Sequence, residues 1–176
     1  MFFQKNSQFT PLGIPSSHSW DALGAITAII EQNDIFLFVE LGVHKGGLAS
    51  LLAMRARYRD FEYLGVELYL DDIEPVVKAL VEETPRANLL FGDVFASPVF
   101  DFIARKIELS RRALIYCDDG DKPAEANKYS KILKMGDLLL VHDYPKEFSE
   151  EDVECTDLTR MKLHFLRDTR LVLFHR

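Results

Sequence analysis

The stretch IFLFVELGVHKGG, residues 35–47, decides the expected fold, because it joins an apolar run to a turn that contains three glycines. The run IFLFV is typical of a strand that is buried on both faces. The residues that follow, LASLLAMRARYR at 48–59, have the pattern of an amphipathic helix. A strand that ends in a carboxylate, here Glu40, and then turns on glycines is typical of a loop that holds a ligand.

Apolar runs alternate with helix-patterned segments along the rest of the chain. This alternation predicts a doubly wound, mostly parallel, Rossmann-like α/β sheet with helices on both faces. The predicted strands are Ile35–Val43, Tyr63–Leu68, Asn88–Phe91, Ala113–Cys117, Leu138–Val141 and Arg170–His175. The predicted helices are 19–33, Leu48–Tyr58, Ile73–Glu83, Val99–Glu108 and Pro123–Leu133. One domain is expected, with an irregular arm at 1–18, a helix at 19–33, a core at 35–144, and a helix and a strand within 145–176.

Composition and charge limit the classes of partner. The 176 residues are 48% hydrophobic and 28% charged, as in ordinary globular domains. A formal net charge of -7 disfavours nucleic acid as a partner. No apolar run approaches the roughly 20 residues of a membrane-spanning helix, and the N-terminus lacks the pattern of a signal peptide. Since Cys117 and Cys155 make no disulfide framework, we expect a cytoplasmic protein without a membrane partner.

The glycine turn does not match the common phosphate-binding loops. ELGVHKGGLAS lacks the Lys-Ser/Thr pair of a P-loop, and its spacing differs from the G-x-G-x-x-G of dinucleotide sites. A carboxylate at position 40 suits a cationic group such as the ammonium of S-adenosylmethionine (SAM). Glu67, at the end of the second strand, can accept the hydroxyls of a ribose, and Asp93, after the third, is placed to reach an adenine amino group.

This ordered set of motifs resembles the class I SAM-dependent methyltransferases over about residues 35–144. The resemblance implies that Gly42 and Gly46 line the methionine part of SAM, that Glu40 faces its ammonium, and that Glu67 and Asp93 hold the ribose and the adenine. The alternative is that Glu40 is a turn or capping acid and that the other two are solvated loop carboxylates.

A second group of polar residues follows the fourth and fifth predicted strands. Asp118, Asp119 and Asp121 come after ALIYC with Lys122 close behind, and His142 and Asp143 come after LLLV. Because parallel strands end on one edge of the sheet, these groups are expected to converge, and a cation would offset the repulsion among the carboxylates. Mg²⁺ prefers oxygen ligands, whereas a histidine suits Mn²⁺, Zn²⁺ or Fe²⁺, so the identity of the metal stays open. The alternative is a set of helix-start acids, a solvated lysine and a hydrogen-bonded imidazole.

This region resembles catechol O-methyltransferase and the cephalosporin-hydroxylase and rhamnosyl O-methyltransferase group. The resemblance implies a divalent metal, Mg²⁺ or another, on Asp118, His142 and Asp143, with Asp118 also part of the cofactor pocket. It also implies catalytic roles for His142, Lys122 and Asp143, since a nearby lysine or histidine takes the proton of the substrate hydroxyl. His142 stands where catechol O-methyltransferase has an acid.

The leading hypothesis is therefore a SAM-dependent methyltransferase (a transferase) that methylates a hydroxyl of a small molecule or a sugar. The alternatives are a nucleotide-binding Rossmann enzyme and a non-catalytic interaction domain that keeps the fold. Nothing in the sequence specifies the acceptor.

The C-terminal region departs from the methyltransferase pattern. Only one strand is evident after VHDY, so either KLHFL is its partner or the sheet is trimmed, and a trimmed edge would favour a homodimer. LTRMKLHFLRD is predicted to contain a helix. Of the remaining histidines, His18 is expected on the surface, His44 in a loop, and His164 and His175 in structural positions. Trp20 is expected to pack with Leu23, Ile26, Ile29 and Ile30 on one face of the first helix, which Ser19 caps.

Overall fold

Seven strands form one sheet in the computed structural model, which describes residues 10–176. The strands are β1 (Leu37–Leu41), β2 (Glu62–Glu67), β3 (Ala87–Phe91), β4 (Ala113–Cys117), β5 (Leu138–Val141), β6 (Thr159–Met161) and β7 (Val172–His175). Their order is β3-β2-β1-β4-β5-β7-β6, with β1 to β5 parallel and β7 antiparallel to both of its neighbours. The predicted doubly wound, mostly parallel sheet is confirmed.

Five α-helices among the described residues cover the two faces of this sheet. They are α1 (Trp20–Gln32), α2 (Gly47–Tyr58), α3 (Pro75–Glu82), α4 (Ser97–Leu109) and α5 (Lys122–Tyr129). Side chains of α1, α2 and α3 pack on one face, around Phe38 and Tyr63, and those of α4 and α5 pack on the other, around Val39 and Ile115. Each helix matches a predicted one, with ends that differ by a few residues.

The direction of winding reverses between β1 and β4. From β1 the chain continues to β2 and β3 on one side, whereas β4 continues to β5 on the other. Leu41 pairs with Val66 of β2 and with Cys117 of β4, so these strands end at nearly the same level. Such a reversal opens a crevice beyond the carboxyl ends of the strands, which is where ligands bind in this class of sheet.

Local sequence explains how α1 begins. The Ser19 side chain accepts a hydrogen bond from the Ala22 amide, as predicted for an N-cap. Leu23, Ile26, Ile29 and Ile30 are buried in the core. Trp20 is 56% exposed, so the prediction that it packs with them is wrong.

The C-terminal region corrects two predictions. Instead of an α-helix, LTRMKLHFLRD forms the short edge strand β6 and a 3₁₀ turn at His164–Leu166. The sheet is not trimmed, because β6 pairs with β7, and the pairing residues lie just before KLHFL rather than within it. The trimmed edge was the reason to expect a homodimer. Dimerisation itself stays a prediction, as does the division into an arm, a helix, a core and a C-terminal region.

The described part of the arm lies next to the carboxyl ends of the parallel strands. It contains a 3₁₀ turn at Pro11–Gly13 and then an extended segment that leads to Ser19. Residues 1–9 of the predicted arm lie outside the described residues. Within residues 10–176, no helix has the length and apolar character needed to cross a bilayer.

Candidate functional site

A cavity of about 480 Å³ occupies the crevice between the ends of β1 and β4. One side is formed by the turn after β1 and by the end of β2, and the other by the residues after β4 and β5. The arm covers the cavity, and Arg170 from the C-terminal region completes its wall. The residues that line the cavity include Pro15, Ser16, His18, Gly42, His44, Gly46, Gly47, Glu67, Asp118, Asp119, Lys122, His142, Asp143 and Arg170.

Gly42 allows β1 and β4 to end side by side. Its φ is 87°, a left-handed conformation that side chains other than glycine rarely adopt. A Cβ atom at this position would lie 2.9 Å from the Asp118 carbonyl oxygen and 2.9 Å from the Asp119 amide nitrogen. The glycine therefore serves both the turn and the close approach of the loop after β4.

Glu67 fixes the turn from the end of β2. One of its carboxylate oxygens accepts a hydrogen bond of 2.7 Å from the His44 amide, and the other accepts one of 2.8 Å from the Leu68 amide. His44 has a φ of 51°, and it is a loop residue as predicted. Glu67 lines the cavity, so it can contact a ligand while it holds the loop.

Glu40 and Asp93 do not line this cavity. Glu40 is fully buried and accepts a hydrogen bond from the Tyr63 hydroxyl. Burial raises the pKa of the Glu40 carboxyl well above its usual range, although the bond from Tyr63 acts against this shift. Asp93 is exposed and accepts a hydrogen bond of 2.7 Å from the Phe95 amide. Their contacts with an ammonium and an adenine stay predictions.

On the other side of the cavity, one carboxylate joins two imidazoles. Asp118 contacts His142 Nδ1 at 2.8 Å through one oxygen and His18 Nε2 at 3.0 Å through the other. Burial acts to raise the pKa of Asp118, but the hydrogen bonds from His142 and His18 outweigh it and lower the pKa to about 2. Asp118 therefore stays ionised at neutral pH. The prediction that His18 lies on the surface is wrong, because it is only 5% exposed and also contacts the Tyr116 hydroxyl at 2.7 Å.

Next to this group, the carboxylate of Asp143 is held by two cations. Lys122 Nζ lies 3.4 Å from one of its oxygens, and Arg170 forms an ion pair with the other. Lys122 also contacts Glu147 at 3.3 Å and donates a hydrogen bond of 2.9 Å to the Asp119 carbonyl. Burial acts to lower the pKa of Lys122, but the charges of Asp118 and Asp143 raise it. The lysine is therefore an ammonium group at neutral pH.

The structure thus brings together seven of the predicted site residues around one cavity, namely Gly42, Gly46, Glu67, Asp118, Lys122, His142 and Asp143. The sequence missed His18 and Arg170. Neither has a motif or a spacing that relates it to the others, since His18 lies in the arm and Arg170 precedes the last strand.

Comparisons with known proteins give structural relatives only. No protein-family model and no curated protein matches the chain. Among solved structures, CmcI with SAH is similar over 99% of this chain and 84% of CmcI, with a TM-score of 0.72 and 15% identity. A candidate caffeoyl-CoA O-methyltransferase from Staphylococcus aureus is similar over 92% of this chain and 84% of its own, with a TM-score of 0.65 and 12% identity.

A second CmcI structure, with Mg-SAM, matches over 81% of this chain and 60% of that chain, with a TM-score of 0.61 and 18% identity. Identities this low establish a shared fold and no more. The predicted resemblance is therefore confirmed at the level of architecture: this chain has the Rossmann-like α/β fold of CmcI and of the other methyltransferase-like structures that it matches.

Proposed function

We propose that this protein is a SAM-dependent O-methyltransferase that acts on a hydroxyl group of a small molecule or a sugar. The observation that carries the proposal is the cavity at the point where the winding reverses, with the glycine turn and Glu67 on one side and Asp118 and His142 on the other. The structures of CmcI with SAH and with Mg-SAM, which share the fold, support this choice of ligand.

The glycine turn and Glu67 would hold the cofactor. Gly42 and Gly46 leave room for the methionine part of SAM, and the positive end of the helix dipole of α2, which begins at Gly47, suits its carboxylate. Glu67 would accept the ribose hydroxyls. This placement needs no direct contact from Glu40 or Asp93.

The acceptor hydroxyl would bind at the opposite side and lose its proton there. Methyl transfer is a displacement in line with the sulfonium carbon, so the protein mainly positions the two reactants and makes the oxygen a better nucleophile. His142 faces the cavity, Asp118 orients it through Nδ1, and its Nε2 makes no hydrogen bond within residues 10–176. Lys122, as an ammonium, is a poor base and instead holds Asp143 in place.

Mg²⁺ does not fit the predicted set of Asp118, His142 and Asp143. Mg²⁺ requires near-octahedral coordination by oxygen, and one of these three donors is a nitrogen. Asp143 is already neutralised by Lys122 and Arg170. No step of the proposed reaction therefore passes through Mg²⁺.

Calorimetric titration with S-adenosylhomocysteine (SAH) tests the proposal without knowledge of the acceptor. We expect saturable binding at one site per chain. Glu67→Gln should weaken it by about tenfold or more, because a charge-assisted hydrogen bond contributes about 1.5–3 kcal/mol. Glu62→Gln is the matched control, since Glu62 begins the same strand but is exposed and pairs with Lys106.

Other results would favour other functions. Binding of NADH in place of SAH would support a nucleotide-binding Rossmann enzyme, and an absence of binding to both would support a non-catalytic interaction domain. If SAH binds, methyl-labelled SAM can be used to screen small hydroxyl compounds and sugars as acceptors. A cytoplasmic location stays a prediction.

A further inference from the structure

His18, Asp118 and His142 form a compact, largely buried cluster at the edge of the cavity. One ligand atom from each residue lies within 4.8 Å of the others. Two ligands of a tetrahedral ion are about 3.4 Å apart when the bonds are about 2.1 Å, so small rotations of the imidazoles are enough to share an ion. The three residues come from separate parts of the chain, which are the arm, the end of β4 and the end of β5.

The donor set selects a particular class of metal. Two imidazole nitrogens and one carboxylate oxygen suit Zn²⁺, Co²⁺ and similar ions, whereas Mg²⁺ prefers oxygen alone. Neutral imidazoles and one carboxylate also leave a divalent ion with a net charge of about +1 in the site, by simple addition of formal charges. We propose that His18, Asp118 and His142 form a binding site for a divalent ion that prefers imidazole, with His18 of the arm as the third ligand in place of Asp143.

The position of the cluster gives this ion access to ligands from solution. All three residues line the cavity. Three protein ligands with an open fourth position are typical of catalytic rather than structural zinc sites. The proposal does not depend on methyl transfer, because ion binding can be measured with no SAM present.

An ion held by His18 would also tie the arm to the sheet. Next to His18, the arm packs on the start of α2, where a Cβ atom on Gly47 would lie 2.5 Å from the Ser16 Cβ and 2.8 Å from the Pro15 carbonyl. Pro15 and Ser16 line the same cavity as Gly42 and Glu67. Metal binding should therefore be coupled to the binding of any ligand in that cavity, in both directions.

Metal titrations of tag-free, chelator-treated protein test the site. We expect one Co²⁺ per chain with the intense visible absorption of a four-coordinate ion, and displacement of this Co²⁺ by Zn²⁺ but not by a large excess of Mg²⁺. His18→Gln should weaken Co²⁺ binding by about 100-fold, since even the loss of groups that only support a ligand costs about 10–100-fold. Asp118→Asn should weaken it at least as much.

His175→Gln is the matched control, because His175 is exposed on β7 and does not line the cavity. It should bind Co²⁺ like the unsubstituted protein. Thermal unfolding of each variant in the presence of chelator checks that the variant is folded without metal. If it is folded, a loss of Co²⁺ binding cannot be attributed to unfolding.

Two results would overturn the proposal. One is the absence of stoichiometric Co²⁺ or Zn²⁺ binding by the unsubstituted protein, which would leave a cluster joined by hydrogen bonds alone. The other is binding that His18→Gln does not change but Asp143→Asn abolishes, which would return the site to the set predicted from the sequence.

Discussion

The two sides of the cavity are built in different ways. On the glycine side, the wall is mostly backbone of the turn at 42–47. The Glu67 carboxylate in this wall accepts a hydrogen bond from the His44 amide, and the Glu40 carboxylate, which is buried behind it, accepts one from the Tyr63 hydroxyl. On the ionic side, the wall consists of charged side chains that bind one another, with Asp118 between two histidines and Asp143 between Lys122 and Arg170. The glycine side is thus a shaped surface, and the ionic side is a network of charges.

This difference has consequences for how each side responds to change. The glycine side depends on space that a single Cβ atom would fill, so substitutions there should act through shape. The ionic side depends on burial and charge, so the effects of substitutions there on stability should vary with pH and salt concentration. Four substitutions with progressively smaller expected effects test this contrast.

Gly42→Ala should have the largest effect. The new Cβ atom would lie 2.9 Å from backbone atoms of Asp118 and Asp119, at a φ of 87°. We expect the free energy of unfolding to fall by about 3–5 kcal/mol, from backbone strain plus overpacking, and SAH binding to be lost. Urea denaturation and calorimetry measure the two effects. Gly24→Ala is the control, since a Cβ atom there meets no atom within 4 Å and Gly24 does not line the cavity, so SAH binding should be unchanged.

Glu125→Gln should stabilise the protein in a way that depends on pH. Glu125 lies fully buried beneath the loop after β4, with one carboxylate oxygen unpaired among the described residues. Burial raises its pKa to about 8. Between pH 4.5 and 8 the folded state then binds more protons than the unfolded state, so the native protein loses stability as the pH rises through this window.

The glutamine in Glu125→Gln cannot ionise, so the variant should not lose stability in this way as the pH rises. We expect it to be more stable than the native protein by about 2–3 kcal/mol above this window and by little below it, as urea denaturation across the pH range would measure. Glu108→Gln, at an exposed position on α4, should show no such dependence. An equal effect of Glu125→Gln at acid and alkaline pH would show that shape, not charge, governs this side as well.

Tyr63→Phe should have a smaller effect on the glycine side. It removes the hydroxyl that donates to the buried Glu40, and leaving such a group without a partner costs about 1–2 kcal/mol in the free energy of unfolding. SAH affinity should change by no more than about twofold, on the order of 0.4 kcal/mol, because neither residue lines the cavity. Tyr58→Phe, at a position that is 71% exposed, is the control for stability. A large loss of SAH affinity would instead support a direct role for Glu40 toward the ammonium.

Arg170→Met should have the smallest effect on stability. The side chain of Arg170 is 53% exposed, and exposed ion pairs contribute about 0–1 kcal/mol. The difference from the native protein in denaturation experiments should shrink further at high salt. Arg167→Met serves as the control, because Arg167 is exposed in the same segment and forms no ion pair within residues 10–176. A loss well above 1 kcal/mol would mean that Arg170 supports the whole network around Asp143.

Each side of the cavity was predictable from the sequence only in part, since Glu40 and Asp93 do not line the glycine side and His18 and Arg170 were missed on the ionic side. The order of strands and helices follows from local patterns, and the ends of parallel strands must meet at one edge, so Gly42, Glu67, Asp118 and His142 could be placed together. His18 lies in a segment without periodicity and Arg170 at the start of the last predicted strand, and no sequence pattern relates either residue to the cavity.

Two further differences have physical causes. Strand β6 is three residues long and pairs on one side only, so its pattern is too short to separate from that of a helix. The hydrogen bond between Glu40 and Tyr63 joins adjacent strands across residues that the sequence places 23 apart, so no local pattern could show that this carboxylate binds a buried hydroxyl.

A crystal structure of the complex with SAH tests the central claim most directly. We expect SAH in the cavity between β1 and β4, with its methionine part against the turn at Gly42 and Gly46 and its ribose hydroxyls on Glu67. Well-defined SAH at another place, such as the groove lined by Phe61, Arg86 and Leu109 at the opposite edge of the sheet, would contradict it.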